Sequence, residues 1–116
     1  MLSKHFSRSE FECQCGCGGN TVDVELLRVL EDVRTYFDKP IVINSGFRCD
    51  SHNTAVGGSK LSQHTRGKAA DFRIIGVSEE EVVSYLEEQY PNAYGIGVYQ
   101  GRTHVDVRKE KARWVG

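Results

Sequence analysis

Apolar residues recur at helical spacing from about Val22 to Phe37, where Leu26, Leu30, Val33 and Phe37 fall on one face. The pattern predicts a principal helix that stops at Asp38-Lys39-Pro40. Upstream, Ser7-Arg8-Ser9-Glu10 has the form of a capping box and predicts a short helix, which Gly16-Cys17-Gly18-Gly19-Asn20 breaks. Ile41-Val42-Ile43 is a β-branched run that predicts a buried strand, and Asn44-Ser45-Gly46 turns the chain out toward Phe47-Arg48. Residues 50–63 carry few large apolar side chains. One helical turn is predicted from Ser51 to Val56, stopped by Gly57-Gly58, and an exposed loop then leads to His64. Ala69–Ile75 reads as the next strand. Ser78-Glu79-Glu80-Glu81 caps a second amphipathic helix whose apolar face is Val82, Val83, Leu86 and Tyr90, with Pro91 behind it. Tyr94–Tyr99 and Thr103–Val107 predict a hairpin around Gln100-Gly101-Arg102. The order helix, strand, loop, strand, helix, hairpin predicts an α+β fold, with a small antiparallel sheet packed against helices.

A length of 116 residues sets the expectation of a single domain over 1–116, working as a monomer. The formal net charge of -1, with acids and bases mixed, argues against nucleic acid or an anionic membrane as the main partner. The apolar runs are too short for a transmembrane helix. Met1-Leu2-Ser3-Lys4-His5 has no apolar signal core, so synthesis in the cytoplasm without secretory export is the expectation. The four cysteines are unevenly spaced, with Cys13, Cys15 and Cys17 together and Cys49 apart. Reduced thiols, a structural metal held by part of the cluster with Cys49, or a disulfide from the cluster to Cys49 are the three readings. Alternate-residue cysteines do not match the usual Cys-x-x-Cys knuckle.

The chemistry concentrates in two places. Ser62–Asp71 pairs His64 with Asp71 across a glycine and small residues, and Thr103-His104-Val105-Asp106 adds a second imidazole. Two His and one Asp are a set that zinc accepts while a fourth position stays open for water. Residues at i and i+2 of a strand share a face. His104 and Asp106 therefore point one way while Val105 and Val107 point to the core, and Ala69 and Asp71 pair likewise. His64 precedes that strand and can fold back over it, so His64, Asp71 and His104 can converge on one ion.

Ser62–Asp71 matches, at every fixed position, the Ser-x-His-x-x-Gly-x-Ala-x-Asp motif of the M15 zinc peptidases. These are the D-alanyl-D-alanine carboxypeptidases and peptidoglycan endopeptidases. Ser45-Gly46-Phe47-Arg48, His52-Asn53 and Val56-Gly57-Gly58 resemble that family's segment before the motif, and His104-Val105-Asp106 with Arg113-Trp114 resembles the ending of its small single-domain phage and bacterial members.

The resemblance implies a hedgehog/DD-peptidase-like zinc fold, with His64, Asp71 and His104 as ligands of Zn²⁺. It implies that Arg48 steadies substrate or the developing oxyanion, as a fork-shaped guanidinium suits a carboxylate. Ser62 either hydrogen-bonds substrate or caps the turn, and Gly67 and Ala69 stay small so that backbone and ion can approach. One position departs from the pattern. Many members carry an acidic general base three residues before the last histidine ligand, where this chain has Gly101. Asp106 is the expected replacement, with orientation of His104 as its other possible role and His52 as a weaker base. Tyr94, Tyr99 and Trp114 either line a glycan-peptide groove or pack the sheet, while Gly95 and Gly97 mark a close backbone approach or a bulge.

The resulting expectation is a zinc peptidase that cuts peptidoglycan amide bonds next to a D-amino acid. It would be released by phage lysis machinery or carried with a phage particle. The alternatives are a zinc-containing binding module without activity, as in hedgehog domains, and a phage tail structural subunit.

Overall fold

The computed structural model describes residues 2–116. Three α-helices and five strands follow in the order α1 (Val24–Phe37), β1 (Ile41–Ser45), α2 (Asp50–Ala55), β2 (Ala69–Ile74), α3 (Glu79–Gln89), β3 (Gly95–Tyr99), β4 (Arg102–Asp106) and β5 (Ala112–Val115). Short 3-10 turns at Arg8–Phe11 and Gln63–Arg66 precede α1 and β2 respectively. The predicted caps form. The Glu10 carboxylate accepts from Ser7 N–H at 2.6 Å, and Ser78 Oγ accepts from Glu81 N–H at 3.2 Å. Helix α1 starts at an Asp23 cap and ends at Asp38 in the left-handed region, φ 51°, just before Pro40.

The strands form one sheet in the order β1-β2-β4-β3-β5. The first four pair antiparallel, as the sequence predicts. β5 has no counterpart in the sequence reading. It lies parallel to β3 and makes the sheet mixed. Four residues after a charged Lys109-Glu110-Lys111 run give a weak strand signal, and their hold comes from tertiary contacts. The Arg113 guanidinium donates to the carbonyls of Tyr94 at 2.6 Å and Tyr90 at 2.8 Å and pairs with Glu87.

One face of the sheet carries the core. Ala70, Phe72, Val105 and Ile96 pack against Leu26, Leu30 and Val33 of α1 and Val82 and Leu86 of α3. Phe6 and Phe11 join the same cluster from the N-terminal segment. The other face is left to polar side chains, because strand alternation sends Ala69, Asp71, His104 and Asp106 there together.

Candidate metal centre

Sheet register assembles the site. Asp71 on β2 stands directly opposite His104 on β4, and Ala69 opposite Asp106. His104 in turn stands opposite Gly97 of β3, and Gly97 opposite Trp114 of β5. His64 arrives from the 3-10 turn before β2, where Ser62 Oγ accepts from His64 N–H at 3.2 Å. That turn closes at Gly67, φ 69°, where a Cβ would stand 2.6 Å from the Thr21 carbonyl oxygen. Only glycine fits there, for conformation and for space. His64, Asp71 and His104 are all buried, and each offers a ligand atom within 4.8 Å of the others.

The hydrogen bonds decide which ring nitrogens face the ion. His64 Nδ1 lies 2.8 Å from the Gly46 carbonyl, which can only accept, so Nδ1 carries the proton and Nε2 points to Asp71 Oδ1 at 3.5 Å. His104 has a carboxylate oxygen 2.8 Å from each ring nitrogen, Asp106 Oδ2 at Nε2 and Asp71 Oδ1 at Nδ1; because Asp71 belongs to the ligand cluster, Nδ1 is the nitrogen that would face an ion, with the Nε2 proton given to Asp106. A zinc-ligating histidine that gives its other N–H to a carbonyl or carboxylate is the arrangement that fixes tautomer and ring orientation. The residues therefore fit zinc: two imidazoles, each with an acceptor for its other ring N–H, and one carboxylate, with no fourth protein ligand in the group. Burial by itself would push the Asp71 carboxyl up. The His104 and His64 rings beside it, when protonated toward it, outweigh that and hold it well below the usual carboxylate range.

Asp106 is not where a general base would stand. It has no exposed surface and sits behind His104, on the nitrogen turned away from the ligand cluster. It also accepts from Arg108 Nε and Nη2, both at 2.7 Å, and from Gly95 N–H at 3.2 Å. That geometry suits the orienting role that the sequence reading kept as the alternative. Gly95 makes this possible, because a Cβ there would stand 2.6 Å from Asp106 Oδ1.

Arg48 does reach the centre. Its Nη2 lies 3.4 Å from Asp71 Oδ2, while Nε donates to Ser45 Oγ at 3.1 Å and Nη1 to Asn53 Oδ1 at 3.3 Å. Asn53, which the sequence reading did not single out as an arginine support, is buried and anchored to the Ser59 carbonyl at 2.7 Å. Ser62 serves as the cap of the His64 turn and also lies on the cleft wall.

The ligands open onto a cleft of about 450 Å³, whose walls include Arg48, Arg102, Arg108, Tyr99 and Trp114. Arg102 lies over the Tyr99 ring at 4.3 Å, and Trp114 flanks His104 with ring centroids 5.0 Å apart. Tyr94 instead packs beside Tyr90 and donates to Glu25 at 2.6 Å. His52 faces an adjoining hollow shared with Arg48 and Asp71.

A family model described as Peptidase M15 matches residues 4–106, a span that holds His64, Asp71, His104 and Asp106. The chain belongs to the peptidase M15 family. No curated protein matches it. For an M15 chain the His64/Asp71/His104 group is the expected metal centre, and family membership points to a zinc-dependent peptidase.

Proposed function

We propose that this M15 chain is a zinc metallopeptidase that hydrolyses amide bonds in bacterial peptidoglycan peptides, next to a D-amino acid. The observation that carries the reading is the convergence of His64, Asp71 and His104 within 4.8 Å beneath a cleft walled by arginines. Zinc bound there would supply a Lewis acid for the scissile carbonyl and lower the pKa of a water molecule. The protein's own part is positioning. Asp71 stays ionised, and Gly46 and Asp106 hold the two imidazoles in their ligating tautomers. Arg48, braced by Ser45 and Asn53, presents a fixed guanidinium to a peptide carboxylate. Arg102, half exposed, laid over Tyr99 and 4.0 Å from Asp71 Oδ2 through Nε, presents the rest of its guanidinium to a second anionic group. Peptidoglycan stem peptides carry such carboxylates and neutral substrates do not, so the arginine wall favours them.

The substrate sets the place of action. Peptidoglycan lies outside the cytoplasmic membrane, so the enzyme would meet it after phage lysis or on a phage particle.

A second reading rests on a specific observation. Asp71 is the one carboxylate on the cleft wall, and Gly101 stands where the family resemblance implies a base. In that reading the cleft holds zinc and an anionic peptide without cutting it. Mass spectrometry of purified muropeptides after incubation with zinc-loaded protein decides between them. Chelator-sensitive cleavage products establish the peptidase and name the bond. Intact muropeptides that nevertheless bind the zinc form establish the binding module.

A further inference from the structure

We propose that Cys13, Cys15, Cys17 and Cys49 form a second metal site that binds a structural zinc ion through four thiolates. The site shares no ligand with the His64/Asp71/His104 centre. Three sulfurs form a nearly equilateral triangle. Cys13 Sγ lies 3.4 Å from Cys15 Sγ and 3.8 Å from Cys49 Sγ, and Cys15 and Cys49 are 3.6 Å apart. Cys17 supplies a fourth sulfur within 4.8 Å of the others. Zinc–thiolate bonds of about 2.3 Å in a tetrahedron place neighbouring sulfurs about 3.8 Å apart, close to these separations. A disulfide would draw one pair to about 2.05 Å and leave the remaining thiols without a role.

The backbone is arranged as it is around bound thiolates. Cys49 N–H donates to Cys13 Sγ, His52 N–H to Cys49 Sγ, and Gly19 N–H to Cys17 Sγ, each at 3.4 Å. Such donors stabilise sulfur's negative charge and fix ligand direction. Gly16 and Gly18 take φ of +84° and +86°, which allows three alternate cysteines to turn toward one point. The loop closes through Cys13 N–H to the Gly19 carbonyl at 2.7 Å. Spacing alone argued against a zinc knuckle. The two left-handed glycines and the distant Cys49 supply what the spacing lacks.

The position gives the site a purpose. Residues 14–18 are exposed, so apolar burial does not hold this loop. Cys49 caps α2 and adjoins Arg48. A metal here ties the N-terminal loop to the segment that carries Arg48 and Asn53, and so braces one wall of the cleft. A four-thiolate set is closed, which suits stability and not catalysis.

Metal analysis of protein purified without chelator tests this. The natural chain is expected to carry two zinc equivalents, His64→Ala/His104→Ala one, and Cys13→Ser/Cys49→Ser one. Cobalt titration of metal-free natural chain under reducing conditions is a second readout that needs no variant. Strong sulfur-to-cobalt charge-transfer absorption supports the site, because the His/Asp centre has no sulfur. Absence of that absorption overturns it. So does a zinc-saturated protein whose four thiols all react freely, or whose freshly isolated, anaerobically handled form contains a disulfide by intact mass.

Discussion

Replacing Asp106 by Asn keeps the side-chain shape and removes one acceptor. In the natural chain Oδ2 accepts from His104 Nε2 and Arg108 Nη2, while Oδ1 accepts from Arg108 N and Nε and from Gly95 N. A carboxamide must aim its NH₂ at one of these sets. Facing the Oδ1 side it meets three donors, and facing the Oδ2 side it meets two. The second choice leaves fewer conflicts, and one of its donors can yield, since His104 can move its proton to Nδ1. That relieves the clash and blocks the nitrogen that faces Asp71 and the metal. Loss of such an orienting partner costs about 10–100-fold in metal affinity, or about 1.4–2.8 kcal/mol.

The assay is zinc competition against a chromophoric chelator at the His64/Asp71/His104 centre, together with turnover at limiting and saturating zinc. Asp106→Asn is expected to raise the zinc Kd about 10–100-fold. Much of the turnover should return once zinc is saturating. Circular dichroism controls for folding, because the Arg108 pair is weakened as well. An unchanged zinc Kd with turnover abolished at every zinc level would refute this reasoning. It would mean that Asp106 takes a proton from water despite its position behind the ring.

Three further outcomes follow from the same geometry. Arg48→Lys loses the fork that engages Ser45, Asn53 and Asp71 at once, so kcat/KM should fall about 10–100-fold, mostly through KM. Unchanged steady-state kinetics would remove Arg48 from substrate binding, and a loss confined to kcat would assign it to the transition state. Gly97→Ala places a Cβ 2.5 Å from Trp114 Cε2 and should cost about 1–3 kcal/mol as β5 is pushed off. Trp114 is the single tryptophan, so red-shifted fluorescence reports that displacement directly, and a natural spectrum would contradict it. Glu31 accepts from Ser3 Oγ at 2.6 Å and from His5 N at 2.7 Å, and its Oε1 lies 2.6 Å from His5 Nδ1; burial pushes its carboxyl up, but the Ser3 and His5 contacts outweigh it and hold it below its ordinary value. Its stabilisation is therefore present above the unfolded glutamate value, about 4.3, and lost as pH falls through the lower folded one. Glu31→Gln should lose about 1–2 kcal/mol at pH 7 by urea unfolding, with the gap to the natural chain closing in acid; a gap independent of pH would contradict the linkage.

The parts of the fold that local patterning controls were readable. Leu26, Leu30 and Val33 mark the buried face of α1 because helix periodicity and burial coincide there. Val105 in β4 and Val107 just after it mark the core side because both join the cluster packed against α1 and α3. β5 escaped because nothing local makes it a strand. Its cause is remote: the bare surface of Gly97, the acceptor carbonyls of Tyr90 and Tyr94, and Glu87 on α3. The clue lay in another element. Glycines at 95 and 97 in a strand signal that something approaches closely, and the two visitors are the Asp106 carboxylate and the Trp114 indole.

The site divides in the same way. His64 and Asp71 lie within one ten-residue motif, and alternation puts His104 on the facing strand's polar side, so the residues that the fold brings together could be read from the chain. Asp106 was placed on the correct face, but i,i+2 spacing fixes a side and not a depth. Which ring nitrogen it meets depends on the room that Gly95 leaves behind β4 and on Arg108 closing over the carboxylate. Both pull Asp106 away from the cleft. A base must exchange protons with water, whereas an orienting acid works best when water is excluded and its donors are fixed. With no exposed surface and five donors, Asp106 meets the second requirement and fails the first. On this geometry a proton acceptor for hydrolysis is expected among the groups that the cleft exposes, and the burial that keeps water from Asp106 is what suits it to hold His104 toward a metal.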